Sequence, residues 1–150
     1  MTRKNAREIA VRLCFGLSAT NENANALLER TFDKDYYESL KAEDELFSEY
    51  PDEKQLEYIS RIVKGVGLHS AELDDYIMKY AKGWQFSRIS RTALAAMKTA
   101  MFEMLYMPDV PNSAAINEAV ELAKRYDEAD TVSFVNGVLG SFVKNETVAE

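Results

Sequence analysis

The chain is short of the residues on which most small-protein chemistry is built. Among 150 residues it has one cysteine, Cys14, and one histidine, His69. A single thiol excludes an internal disulfide framework and any multi-cysteine metal site. A single imidazole excludes a two-histidine centre. Proline is confined to Pro51, Pro108 and Pro111, which leaves long stretches with no helix breaker. The six glycines never gather into a rich loop. Gly65 and Gly67 do not follow a strand and lack the spacing of a phosphate-cradling turn. No run approaches the ~18 apolar residues of a membrane-spanning helix. The opening Met1-Thr2-Arg3-Lys4 is not followed by a signal-type apolar block. Strand-type alternation is nowhere sustained.

Hydrophobic residues make up 47% of the chain and charged residues 29%, an ordinary composition for a globular protein that holds a core without staples. The length fits one domain, or two subdomains packed as one. We therefore expect a cytoplasmic, all-α protein.

Charge is unevenly distributed. The formal net charge of -7 by itself argues against a nucleic-acid partner. Residues 1–21 nevertheless carry Arg3, Lys4, Arg7 and Arg12 against Glu8, a local net of +3. Residues 22–57 hold twelve acids against Arg30, Lys34, Lys41 and Lys54, a net of -8. Residues 76–102 contain Lys79, Lys82, Arg88, Arg91 and Lys98 and no acid at all. A polyanion responds to the field within about one Debye length, ~8 Å at physiological salt, more than to the total charge. The two basic islands read either as solvated helix faces or as contact surfaces for a polyanion.

Apolar spacings of three and four predict helices at about 3–19, 23–47, 53–67, 70–82, 88–106, 113–126 and 131–144. The third and fourth can also be read as one helix bent near Gly65-Val66-Gly67. The segment Met107-Pro108-Asp109-Val110-Pro111-Asn112 is the clearest break. Asn112 or Ser113 is expected to cap the helix after it, and Asp130 the last helix. In the first helix Ala6, Ile9, Ala10, Leu13 and Leu17 form a core stripe. Lys4, Arg7, Val11 and Phe15 form a second line, suited either to packing or to a nucleic acid. Ile116, Ala119, Val120 and Ala123 make a core stripe with Tyr126 at its margin. Val132, Val135, Val138, Leu139, Phe142 and Val143 cover a wide arc of the last helix, which marks it as central. Phe134 and Asn136 sit at opposite edges of that arc. Asn136 can satisfy a buried backbone group or read a base edge.

Catalytic signals are missing. His69 has no nucleophile in an identifiable motif and reads as a surface or capping residue near a helix start. Cys14 reads as an interior residue of the first helix. Carboxylates are plentiful, but acid–base chemistry needs two of them in opposed environments, which nothing here specifies. Glu103 and Glu118, each in an apolar helix, read as buried partners for arginine. The expectation is no enzyme, no catalytic residue, no metal site and no cofactor.

Two segments carry a family likeness. They are Ile116-Asn117-Glu118-Ala119-Val120-Glu121-Leu122-Ala123-Lys124, within residues 109–126, and Phe134-Val135-Asn136-Gly137-Val138-Leu139. Together they strongly resemble the signature of the bacterial NusB family of transcription antitermination factors. Residues 3–11 are similar to that family's opening helix. Trp84, Arg88 and Met101-Phe102-Glu103-Met104 are similar to its middle helix. The resemblance implies an all-α domain over 1–150 with about seven helices in two three-helix bundles. It places an N-terminal subdomain at about 1–82 and a C-terminal one at about 83–146.

It also implies binding of the boxA element of nascent ribosomal RNA leaders, jointly with the ribosomal protein NusE, on elongating RNA polymerase. By position, the implied RNA-facing residues are Arg3, Lys4, Arg7, Tyr126, Phe134 and Asn136. Asp130 falls where an acid limits RNA affinity. Phe15, Arg88, Arg91 and Thr92 are the implied NusE contacts. Two departures are visible: Ser133 stands where many members carry lysine, and Ala93-Leu94 where an acid followed by a base is common. The same fold occurs as a module of ribosomal RNA cytosine methyltransferases, and with the last residue at Glu150 we expect the free-standing factor. The rival expectations are a helical adaptor that binds protein alone, and a homodimer that hides its basic face when RNA is absent.

Overall fold

The structure, a computed structural model, describes residues 1–19 and 22–147. Among them it shows eight α-helices and no strand, where seven helices were expected. The chain divides into two compact units, residues 1–67 and 68–150. This division lies well ahead of the expected boundary near residue 82. The helix after His69 belongs to the second unit because it packs against two helices of that unit.

The first unit begins with α1 (Arg3–Ala19). Thr2 Oγ1 accepts from the Asn5 amide at 3.1 Å and caps it. Ala6, Ile9 and Ala10 are fully buried, as the core stripe requires, whereas Leu13 and Leu17 are only half-buried. The other line of α1 is split. Arg7 and Val11 are buried, and Lys4 and Phe15 are exposed, so it forms no continuous open stripe. Cys14 is buried in the same helix.

The expected helix over 23–47 is three elements instead: α2 (Ala24–Thr31), α3 (Lys34–Leu40) and a 3₁₀ turn (Glu45–Phe47). Short polar side chains interrupt it by capping free amides. Asn23 accepts from Ala26, Asp33 from Tyr36 and Asp44 from Leu46, at 2.8, 3.0 and 2.9 Å. The breaks gather four rings. Tyr37 lies 5.8 Å from Phe32, 5.6 Å from Phe47 and 5.1 Å from Tyr50. A straight helix would hold residues 32 and 47 about 22 Å apart. In the next helix, α4 (Glu53–Leu68), Asp52 and Gln55 form a reciprocal capping box at 2.8 and 2.9 Å.

The second unit contains α5 (Ser70–Tyr80), α6 (Arg91–Tyr106), α7 (Asn112–Tyr126) and α8 (Ala129–Glu146). His69 separates α4 from α5, so these are two helices that meet just beyond Gly67. The His69 ring stacks on Tyr106 at 4.4 Å, and its Nδ1 lies 3.1 Å from Glu72. Ser90 caps α6 by accepting from Ala93 at 3.1 Å. Both α6 and α8 pack against each of the other three helices, which bears out a central last helix.

The expected core stripe of α7 is displaced: Ala115, Ala119, Leu122 and Ala123 are buried, and Ile116 and Val120 are half-buried. Neither Asn112 nor Ser113 caps α7, because Pro111 occupies the cap position. Asp130 does not cap α8 either. The helix starts two residues earlier than expected, at Ala129, and among the described residues Asp130 Oδ1 accepts only from the adjacent Thr131 amide at 2.9 Å. Glu103 is fully buried, while Glu118 is half-buried.

The ring cluster of the first unit has an alkaline signature. Tyr37 donates its hydroxyl to the Glu49 carbonyl at 2.7 Å. Burial first, then the neighbouring Tyr50 and Glu49, push its phenol up to about 12. The folded state therefore holds this proton more tightly than the unfolded chain does. The associated stability is complete below the ordinary tyrosine value of ~10 and is lost as pH rises through about 12. In an alkaline denaturation series, Tyr37→Phe should flatten the fall in stability over that window. An unchanged profile would show that Tyr37 is not the group responsible.

Candidate nucleic-acid interface

Each basic island loses cations to the protein's own acids. In the first unit, Arg12 lies 2.8 Å from Asp44 and 3.3 Å from Glu8. In the second, Lys79 lies 2.6 Å from Glu146, which also accepts from the Tyr80 hydroxyl. These two contacts, Lys79 first, hold the Glu146 carboxyl below its ordinary range. Lys98 bonds Asp74 at 2.9 Å and Ser70 at 2.7 Å. What is left over is what a phosphate can meet.

On α1 the remainder is Arg3 and Lys4. Both side chains are exposed, and neither is in an ion pair among the described residues. Arg3 lies over the Tyr58 ring, its guanidinium carbon 4.0 Å from the centroid. That cation–π contact holds a planar donor group without consuming its N–H bonds. Arg7 does not face solvent as expected. Its side chain is 7% exposed and lies beside the same ring at 5.8 Å. It is thus covered, beside the ring over which Arg3 lies. Tyr58, from α4, has no signal in the sequence, because its role exists only once α1 and α4 meet.

In the second unit the expected residues flank the α7–α8 junction. Tyr126, in the last turn of α7, is 44% exposed, with Arg125 at 5.7 Å from its ring. Asp130 lies in the first turn of α8 and is exposed. Farther along α8, Ser133, Asn136, Gly137 and Gly140 continue an exposed stripe of small side chains. The Asn136 amide has no hydrogen bond among the described residues, so it does not satisfy a buried backbone group.

Phe134 turns the other way. It is 9% exposed, with its ring 4.4 Å from that of Trp84. Its expected role as an open stacking platform fails for want of surface, and the more open ring of the pair is Trp84. The signal for Trp84 was its place inside the acid-free island.

The four implied protein-partner residues fall in both units. Phe15 is 38% exposed on α1. Arg88 ends a 3₁₀ turn (Phe86–Arg88), and Arg91 and Thr92 open α6. Both arginines are exposed, and Thr92 is half-buried.

The described residues contain no cluster of histidine, cysteine or carboxylates able to hold a metal, and no helix long and apolar enough to cross a membrane. A small cleft in the first unit is lined by Lys34, Tyr37, Glu38, Phe47, Ser48 and Tyr50. The hydroxyls of Tyr37 and Tyr50 are committed to the carbonyls of Glu49 and Phe32.

Comparison with known proteins agrees with this architecture. The profile of the NusB family matches residues 4–144. A transcription antitermination protein NusB from Acetivibrio thermocellus is 38% identical over 144 residues, covering 96% of this chain and 90% of that protein. One from Clostridium botulinum is 34% identical over 143 residues, covering 95% of this chain and all of its own length. Among solved structures, NusB of Thermotoga maritima superimposes with a TM-score of 0.71 at 25% identity, covering 99% of this chain and 94% of its own. A chain from the crystal structure of a plectonemic RNA supercoil gives 0.74 at 24% identity, covering 95% and 94%, and shares the fold. With the family signature spanning both units and both sets of exposed residues, the chain belongs to the NusB family of transcription antitermination proteins.

Proposed function

We propose that this chain is a cytoplasmic RNA-binding factor that engages the boxA element of nascent ribosomal RNA jointly with NusE. In that company it acts on elongating RNA polymerase. The observation that best supports this reading is that Arg3 and Lys4 stay exposed and outside ion pairs on a chain of net charge -7. Guanidinium and ammonium groups meet phosphates and position the strand, while base contacts supply selectivity. Tyr126 offers an exposed ring to an unstacked base, and Asn136 offers an uncommitted amide to a base edge. Arg7 and Phe134, both buried, support these contacts from behind. For NusE, Phe15 and Thr92 are the proposed contacts.

For single-stranded RNA, the slope of log affinity against log salt should be about -0.7 per phosphate neutralised. Replacing both Arg3 and Lys4 by alanine should therefore flatten that slope by about 1.4. The measurement is a salt titration with boxA-like and scrambled RNA, with and without NusE. Equal binding of both RNAs would favour an adaptor that binds protein alone. A dimer that persists unchanged in the presence of RNA would favour self-association.

The Tyr58 contact makes its own prediction. Tyr58→Phe should keep RNA affinity, because the ring that holds Arg3 remains. Tyr58→Leu should lower affinity severalfold in a protein that is still helical. If both variants bind like the parent, Arg3 needs no ring beneath it.

Asp130→Asn should tighten RNA binding by about two- to fivefold at low salt, since one like charge near a phosphate costs up to ~1 kcal/mol in water. The gain should fade as salt rises. Weaker binding by a protein with α8 intact would argue that this carboxylate makes a contact of its own.

A further inference from the structure

The segment joining α5 to α6 carries a second cationic surface, built around the chain's one tryptophan. Residues 76–102 hold five cations, of which Lys79 and Lys98 are consumed by Glu146 and Asp74. Lys82, Arg88 and Arg91 remain. All three are exposed, and none is in an ion pair among the described residues. Three uncompensated cations within ten residues repel one another. Arg91 also occupies the first turn of α6, at the helix end that disfavours positive charge, and no acid balances it there. No acid among the described residues pairs with these three charges, which leaves them open to a polyanion.

The aromatic half of the surface is equally specific. Gly83 takes a left-handed backbone, φ 81°, that a side-chain-bearing residue would resist. Directly after this turn, Trp84 packs against Phe134, the centroids 4.4 Å apart and the planes inclined at 34°. Phe134 is 9% exposed and the indole is half-buried, so the indole carries the pair's open surface. Phe134 stands one helical turn after Asp130, and the segment therefore adjoins the α7–α8 junction. An acidic peptide would use the cations and leave the indole idle. A single strand of RNA uses both, with phosphates on the cations and an unstacked base on the ring.

We infer that residues 82–91 form an RNA contact of their own, in which Trp84 stacks a base and Lys82, Arg88 and Arg91 meet the flanking phosphates. This rests on the RNA-binding reading above, and it moves Arg88 and Arg91 from the NusE side to the RNA side.

Because Trp84 is the sole tryptophan, its fluorescence reports the contact directly. A boxA-like single-stranded RNA oligonucleotide, added without NusE, should quench it along a curve that matches binding measured by another method. The triple variant Lys82→Gln, Arg88→Gln, Arg91→Gln changes only exposed side chains. Its salt dependence should be shallower than the parent's by about 2 logarithmic units, three phosphates at about 0.7 each, with NusE binding unchanged. RNA binding by the parent protein with no change in Trp84 emission, and an unaltered slope in the variant, would overturn this inference and leave the boxA reading standing. Loss of NusE binding with RNA affinity intact would assign the cations to the protein partner and overturn it too. If the parent protein binds no RNA at all, the boxA reading itself falls.

Discussion

An acidic polypeptide can meet a polyanion only through cations that its own carboxylates leave alone. With 25 acids against 18 lysines and arginines, acids outnumber the cations they can pair with. The fold decides which pairs form. Arg12 goes to Asp44 and Glu8, Arg30 to Glu22, Lys79 to Glu146 and Lys98 to Asp74. The more exposed of these pairs, such as Arg30 with Glu22, contribute little stability each, with a median of about 0–1 kcal/mol. Their larger effect is on the field: they cancel positive charge where it is not used. The cations left exposed and outside ion pairs include Arg3 and Lys4 on α1 and Lys82, Arg88 and Arg91 around Trp84. Two dense basic islands in the sequence thus become two sparse sets in the structure.

Helices were legible wherever a single apolar face decided the outcome. The spans predicted near 3–19, 53–67, 70–82, 88–106, 113–126 and 131–144 correspond to α1, α4, α5, α6, α7 and α8. The reading failed at 23–47, where periodicity competes with capping and with ring packing. Asp33 and Asp44 offer the backbone a local alternative to helix, and Tyr37 gains three aromatic neighbours only if the chain turns. Caps were less legible than helices. A two-residue difference in where α8 starts turns Asp130 from a cap into a first-turn residue.

Residue types at the interface were easier to read than their exposure. An arginine in a basic stripe and an aromatic at the edge of an apolar arc look alike whether open or covered. Arg7 and Phe134 are covered, by contacts that include Tyr58 and Trp84 respectively. In both cases the covering partner is more than 45 residues away along the chain, beyond any local pattern. The pairs follow one rule: a buried member fixes the position of a more open one. Tyr58 sits under Arg3, and Phe134 sits behind Trp84.

This division of labour bears on selectivity. Phosphate contacts carry no sequence information, so a surface with few cations binds weakly unless bases contribute. On the proposed reading, Asp130, exposed in the first turn of α8, would lower attraction for any strand that brings only phosphates. Ser133, exposed on the same helix, adds no charge there. The loop around Trp84 places positive charge close by, because Trp84 packs on Phe134, the residue next to Ser133. That charge lies beside an indole in the chain. Cations at the edge of a ring reward a strand whose base is unstacked, and a duplex, with its bases paired, cannot offer one.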